Sequence, residues 1–265
     1  RDDVESRGLG DVYKRQPMHW AFKNASAAFG AAKGEDSLYN DATWAVTYVD
    51  SHDYGPDGQE KTRYQGGASA WAENMDLMFT FRGIPCIYYG SEIEFKKDVP
   101  IDVGPNAPLD KTGRAYFGDH LEGSVTASDY GKYTASGTVA STLDAPLSKH
   151  LEKLNQIRRA VPALQKGQYT TDSNYVSGNM AYIRRYTNSS VDSLACVTIS
   201  DDATFKGLPN GTYIDAVTGD KKVVTDGTLS TSGASGQGNM RVYVLQNSSS
   251  EVNGAIGDTD LTYLK

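Results

Sequence analysis

The chain has 265 residues, 38% of them hydrophobic and 22% charged, which is ordinary globular composition and enough for a sizeable core in one or two domains. Its net charge of −7 and the absence of a long basic run argue against nucleic acid as a partner. No apolar run approaches the ~18 residues that a membrane span needs. The two cysteines, Cys86 and Cys196, lie in apolar runs and are expected to be buried free thiols, with neither a disulfide nor a metal site between them.

Residues 1–16, RDDVESRGLGDVYKRQ, carry four positive and four negative charges and follow neither a helical nor a strand period. They lack the charged, apolar and small-residue succession of a signal peptide. The segment resembles translated adapter sequence of the kind found at contig ends, and the native chain is expected to join at about Pro17. From there, Met18, Phe22, Ala25 and Phe29 lie on one helical face, with Pro17 suited to the first turn and Gly30 to the end. TWAVTYV, 43–49, is a short continuous apolar run of strand length. Trp71, Met75, Met78 and Phe79 mark a second helix, which Gly83 is expected to stop with Pro85 close behind. IPCIYYGSE then supplies a second continuous apolar strand, 84–89, closed by Gly90.

Neither strand alternates polar and apolar residues, as expected when both faces are covered. A strand, helix, strand succession makes the two strands parallel neighbours. Ligands gather at the carboxyl ends of such strands. His52 and Asp53 follow the first strand and Glu92 follows the second, so their loops should open on the same face. A lone Ser-His-Asp is common loop chemistry; this placement is what makes Asp53 a site candidate.

TYVDSHD, 47–53, followed about thirty residues later by GIPCIYYGSE, 83–92, resembles the seventh and eighth strands of the α-amylase family, glycoside hydrolase family 13. That family's pattern is an apolar strand ending in Val-Asp-Asn-His-Asp, then Gly-Ile-Pro-x-Ile-Tyr-Tyr-Gly-x-Glu. Ser51 stands where Asn is common, a minor departure. The resemblance covers nearly everything from Pro17 to about Gln246. It implies an α/β fold: the C-terminal part of a TIM (β/α)8 barrel at 17–166, followed by an all-β sandwich domain at 167–247 and a linker or tail at 248–265, with 1–16 left out as non-native. On this reading 17–30 is the sixth barrel helix. PLSKHLEKLNQIRRA, 146–160, is the last, with Leu147, Leu151, Leu154 and Ile157 as its buried stripe and Pro162 limiting its continuation. NMAYIRRYTN and SLACVTIS read as a hairpin around a polar turn. GTYIDAVTGD and NMRVYVLQN resemble further strands of the family's C-terminal sandwich.

Retaining glycoside hydrolysis needs two carboxyl groups about 5–5.5 Å apart. The family takes these from the ends of its fourth and fifth strands, and no acid in this chain matches either motif. The resemblance implies that Asp53 is the third family carboxylate, a transition-state stabiliser holding the hydroxyls of the sugar being cleaved. It implies that His52 hydrogen-bonds the same sugar. Asp50 is expected to orient neighbouring groups and Glu92 to support the site from behind. Tyr88 and Tyr89 should alternate faces, so at most one points inward. The segment 91–145 is long for a barrel connection. It holds a candidate hairpin, DYGKYTASGTVAST, and two candidate sugar platforms, Tyr116 and Phe117, although a decorated surface insertion fits equally well.

The implied partner is an α-glucan, and the implied reaction is cleavage of α-1,4 bonds in starch-like glucans, with this chain inactive by itself. An α-glucosidase, a pullulan-cleaving enzyme and a non-catalytic sugar-binding member remain open. No metal site is assigned. The family leaves room for calcium, but the acidic loop DYGPDGQE lacks the D-x-D-x-D-G spacing and no calcium ligands are identified. Family habit places the parent outside or on the surface of a bacterial cell. Nothing in the sequence sets the oligomeric state.

Overall fold

The structure is a computed structural model that describes residues 24–38, 41–48, 50–52, 62–64, 66–101 and 103–265. The charged segment 1–16, the Pro17, Met18 and Phe22 positions of the expected first helix, Val49, Asp53 and the rest of the acidic loop lie outside the described residues. The chain divides into two compact units. One takes the described residues up to Ala68 together with Gly83–Ser148, and the other takes Ser69–Arg82 together with Lys149–Lys265.

In the first unit, α1 spans Ala25–Glu35. Asn24 caps it, its Oδ1 accepting from Ala27 N at 2.8 Å. Ala25, Ala28, Phe29 and Ala32 form its buried stripe. Gly30 does not end this helix. An interior glycine costs about 1 kcal/mol, and the alanines on either side sustain the turn. Strand β1, Val46–Thr47, pairs in parallel with β2, Ile84–Pro85, placing Val46 opposite Ile84 and Thr47 opposite Pro85. Both strands are far shorter than the apolar runs around them.

The segment from 91 to 145 is built from short turns and one hairpin. β3, Gly123–Asp129, pairs antiparallel with β4, Lys132–Gly137, around Tyr130 and Gly131. The hairpin is fully on the surface, with only Lys132's neighbour Tyr133 and Ala135 half-buried. From Thr138 the chain turns helical, as α3, Thr138–Asp144, so the TVAST stretch is not the second strand.

α2 spans Ala68–Thr80 and lies in the second unit from Ser69 on; it is buried at every position from Ala70 onward, including Glu73, Asn74, Asp76 and Thr80. A helix covered on all sides cannot show a clean amphipathic face, and the expected stripe of Trp71, Met75, Met78 and Phe79 is only part of what it buries. α4 spans Pro146–Ala160, and Val161 breaks it before α5, Pro162–Lys166, which carries proline in its first turn. The buried set on α4 differs from expectation. Leu147, Leu154 and Ile157 are buried, but His150 and Lys153 join them in place of Leu151, which is half-buried. His150 Nε2 lies 2.9 Å from Asp76 Oδ1, an ion-pair geometry between two fully buried side chains.

The all-β part follows. β5, Gln168–Thr170; β7, Met180–Thr187; β8, Asp192–Ile199; β10, Gly211–Asp215; β11, Lys221–Val224; and β13, Met240–Leu245, form a six-stranded sheet in the order β11-β10-β13-β8-β7-β5. The pairing of β7 with β8 is the expected hairpin, Met180 opposite Ile199 through Thr187 opposite Asp192. A smaller sheet, β12-β9-β6, uses Leu229–Ser230, Thr204–Phe205 and Val176–Ser177. One core draws on both sheets, with Ile183, Cys196, Tyr213 and Tyr243 from the larger and Val176, Phe205 and Leu229 from the smaller, which makes the module a sandwich. Arg184 on β7 is buried, and its two terminal nitrogens donate to the carbonyls of Thr80, Phe81, Leu164 and Gly167. Burial lowers its pKa to about 10.

Cys196 is buried in that core, and burial pushes its thiol up. Cys86 is exposed, because it follows the two-residue ladder of β2 and not the middle of a long covered strand. Both are free. The tail after β13 is not loose: Val252, Leu261 and Leu264 are buried, and the Lys153 ammonium donates to the carbonyls of Val217, Asp258 and Leu264. No helix among the described residues is long and apolar enough to cross a membrane.

Candidate functional site

Because β1 and β2 run parallel, the segments leaving their carboxyl ends emerge on the same side of the pair. Beyond the ladder, Cys86 N donates to Thr47 O at 2.8 Å and keeps the two segments in register. Gly83 allows the approach: its φ is +86°, and a Cβ there would lie 2.4 Å from Ala45 O.

Asp50, after β1, is 3% exposed and points into the unit. Its Oδ2 lies 3.3 Å from Arg63 Nε, and both its oxygens lie 3.0 Å from the Ser91 hydroxyl, which donates to one at a time. Burial pushes its carboxyl up to about 6. The Arg63 charge and the Ser91 hydrogen bond pull the other way, and the charge of Glu92 adds a smaller upward push. Such a carboxylate orients its neighbours and is not presented to a ligand.

His52, two residues on, is exposed, and its carbonyl accepts from Arg114 Nε at 2.7 Å. Its imidazole is thus carried, five residues beyond β1, on a backbone that Arg114 holds by its carbonyl. Asp53 is outside the described residues.

Glu92 sits in a single turn of 3-10 helix, Ser91–Ile93, with Gly90 at its start in the left-handed region. Its side chain is half-buried, and its carbonyl accepts from the Ser148 hydroxyl at 3.3 Å. Tyr88 and Tyr89 do not alternate faces. Their rings are 4.5 Å apart, and the Arg63 guanidinium lies 4.6 Å from the Tyr88 ring and 5.8 Å from that of Tyr89. The ladder ends at Pro85, so strand alternation does not govern them. Burial pushes the Tyr88 hydroxyl well up.

The two candidate platforms part company. Tyr116 is 77% exposed. Phe117 is 8% exposed, and its ring packs against Tyr89 at 5.7 Å, Phe95 at 5.1 Å and stacked His120 at 5.2 Å. Phe117 thus turns its ring to protein, and only Tyr116 offers one to solvent. The residues that sequence reasoning missed are Arg63, Ser91 and Arg114. Among the described residues, no cluster of three or more His, Cys, Asp or Glu side chains is placed to hold a metal ion.

No family model matches the sequence, and no curated protein matches it. Solved structures do match the fold. AmyP in complex with maltose aligns with a TM-score of 0.53 at 15% identity, over 91% of this chain and 50% of its own. An Anoxybacillus α-amylase aligns with a TM-score of 0.52 at 15% identity, over 91% and 46%. The gamma-CGTase from alkalophilic Bacillus clarkii aligns with a TM-score of 0.51 at 16% identity, over 89% and 31%. The chain shares its fold with structures of α-amylase type and spans half or less of their length.

Proposed function

We propose that this chain is the C-terminal part of an α-amylase-family glycoside hydrolase, comprising the last portion of a (β/α)8 barrel and the sandwich that follows it, and that the parent enzyme cleaves α-1,4 bonds in starch-like glucans. The observation that supports the reading is the parallel register of Val46 with Ile84, from which the described residues Asp50–His52 after the first strand and Tyr88–Glu92 after the second leave on the same side. The shared fold with α-amylase-type structures supports it.

In this reading His52 hydrogen-bonds the sugar being cleaved and Asp53 holds its hydroxyls. A carboxylate beside a forming oxocarbenium ion favours the transition state where water is excluded. It also raises the pKa of a neighbouring carboxyl group, keeping that group protonated as the general acid. Tyr116 is a candidate stacking surface for an outer sugar. Glu92 acts through Asp50 and the turn it shares with Ser91.

The test is Asp53→Asn in the full-length enzyme. Release of reducing ends from maltooligosaccharides should fall by about 10²- to 10³-fold or more, with the far-ultraviolet spectrum and melting temperature unchanged. Near-normal turnover would remove Asp53 from the mechanism.

A further inference from the structure

The loop carrying His52 is held at two points by arginines. Arg63 is 2% exposed, as buried as the carboxylate it faces. Its Nε lies 3.3 Å from Asp50 Oδ2, Nη1 donates to Gly113 O at 3.2 Å, and Nη2 donates to Tyr89 O at 3.1 Å and Ser91 Oγ at 3.3 Å. One cation therefore ties together the segment after β1, the segment after β2 and the turn around Gly113. The planar five-donor fork of arginine makes this geometry available, and a lysine ammonium could not reach all of these acceptors. The strand-like stretch that carries Arg63 is itself fixed, since Arg63 N donates to Val99 O at 2.9 Å. Gly113 N donates to Pro100 O at 2.7 Å, and a Cβ on Gly113 would lie 2.7 Å from Arg63 Cγ, so the close approach needs glycine there.

The next residue, Arg114, supplies the second point. Its Nε donates to the His52 carbonyl at 2.7 Å. The dipeptide Ser51-His52 is thus flanked by an Asp50 side chain held by Arg63 and a His52 carbonyl held by Arg114. The two holds are linked through the Gly113 carbonyl, which belongs to the peptide bond leading into Arg114 and is gripped by Arg63.

We infer that Arg63 and Arg114 form a two-point clamp that fixes the position of His52, and that both are positioning residues for saccharide recognition by that loop. The second half of the inference rests on the reading of His52 as a sugar-binding group. Neither arginine is assigned a contact with sugar. A displacement of about 1 Å in such a group is enough to cost on the order of 10²-fold in rate.

The chain itself gives the first measurement. With histidine ring carbons labelled, the His52 resonance is identified by its loss in His52→Gln. In Arg114→Ala it should move toward the random-coil position, while the His120 and His150 resonances stay in place. Arg114→Lys should restore part of the shift, because one ammonium donor can still reach a carbonyl. Arg63→Lys should move the His52 resonance as well and gain no such rescue. Should Arg63→Lys fail to fold, Arg114→Ala and Arg114→Lys decide the matter, since that side chain is only half-buried. In the full-length enzyme, Arg114→Ala should lower kcat/KM on a maltooligosaccharide by about tenfold to a hundredfold, with kcat falling more than KM rises. A His52 resonance and a kcat/KM indifferent to both substitutions would overturn the clamp. A full-length wild type without glucan turnover would refute the functional reading alone, and the resonance of His52 would then decide the clamp by itself.

Discussion

At Asp50 the burial of one carboxyl group sets a testable pH dependence. Its pKa in the folded protein, about 6, lies above the ordinary aspartate value of about 3.9, so the folded state binds this proton more tightly than the unfolded state. Its contribution to stability is therefore complete below pH ~4 and is lost as the pH rises through ~6. Measured by denaturant unfolding, the stability of the wild type relative to Asp50→Asn should decline across that window, with a slope of at most about 1.4 kcal/mol per pH unit. A difference that stays flat from pH 4 to 7 would mean that the carboxyl is not shifted. Asp50 could be read from sequence as an orienting residue because it follows directly on the apolar run, ahead of His52 and Asp53. Its partner could not. Arg63 lies in a polar stretch with no period, and the groups that bury it come 26 to 50 residues later in the chain. Phe117 shows the reverse case. An aromatic residue in a long loop looks like a ligand platform until Tyr89, Phe95 and His120 are found around it.

Among the elements, those with punctuation at both ends were legible. α4 runs from one proline to the residue before the break at Val161, and β7 and β8 flank an Asn-Ser-Ser turn. Of the apolar runs at 43–49 and 84–89 only Val46–Thr47 and Ile84–Pro85 form strand; Thr43 and Trp44 belong to a turn of 3-10 helix, because hydrogen-bonded pairing depends on neighbours that a hydrophobic run does not specify. Gly83 was correctly placed as a helix stop, and the structure adds why no other residue serves: a Cβ would meet both Ala45 O and, at 2.8 Å, the Thr47 side chain. Gly83→Ala should therefore destabilise the chain by about 1–3 kcal/mol, seen as a lower denaturant midpoint with an unchanged slope; an unaltered midpoint would show that the β1–β2 approach relaxes freely. The last eighteen residues read as a linker because polar residues dominate them. One of their anchors is Lys153, a charged position on a helix whose stripe looked complete without it. Lys153→Met removes the donor shared by the Val217, Asp258 and Leu264 carbonyls. Limited proteolysis should then cut within 251–265 faster than in the wild type while the sheet core stays intact. Equal cutting rates would show that the tail's other contacts, among them the donation from Arg241 to the Lys265 carbonyl and the burial of Val252, Leu261 and Leu264, hold it without Lys153.

For the molecule as a whole, the decisive quantity is the number of carboxyl groups available for chemistry. Retaining hydrolysis requires a nucleophile and a proton donor about 5–5.5 Å apart, and a stabilising third carboxylate cannot replace either. In the first unit, Asp50 is committed to Arg63 and Ser91. Glu92 lies on a turn that supports Asp50, and no acid of the chain matches the family's nucleophile or proton-donor motifs. In the second unit, Arg184 of the sandwich and Lys153 of α4 are buried charges that donate to backbone carbonyls, a structural use of charge. On the proposed function, then, the 265-residue chain carries the groups that recognise and stabilise the reacting sugar without the pair that attacks it. Incubated with soluble starch, it should release no reducing ends above the buffer blank at any pH from 4 to 8. Turnover that survives purification and disappears in Asp53→Asn would show that a complete catalytic set is present in this chain, and the division of roles proposed for Asp53, Asp50 and Glu92 would have to be redrawn.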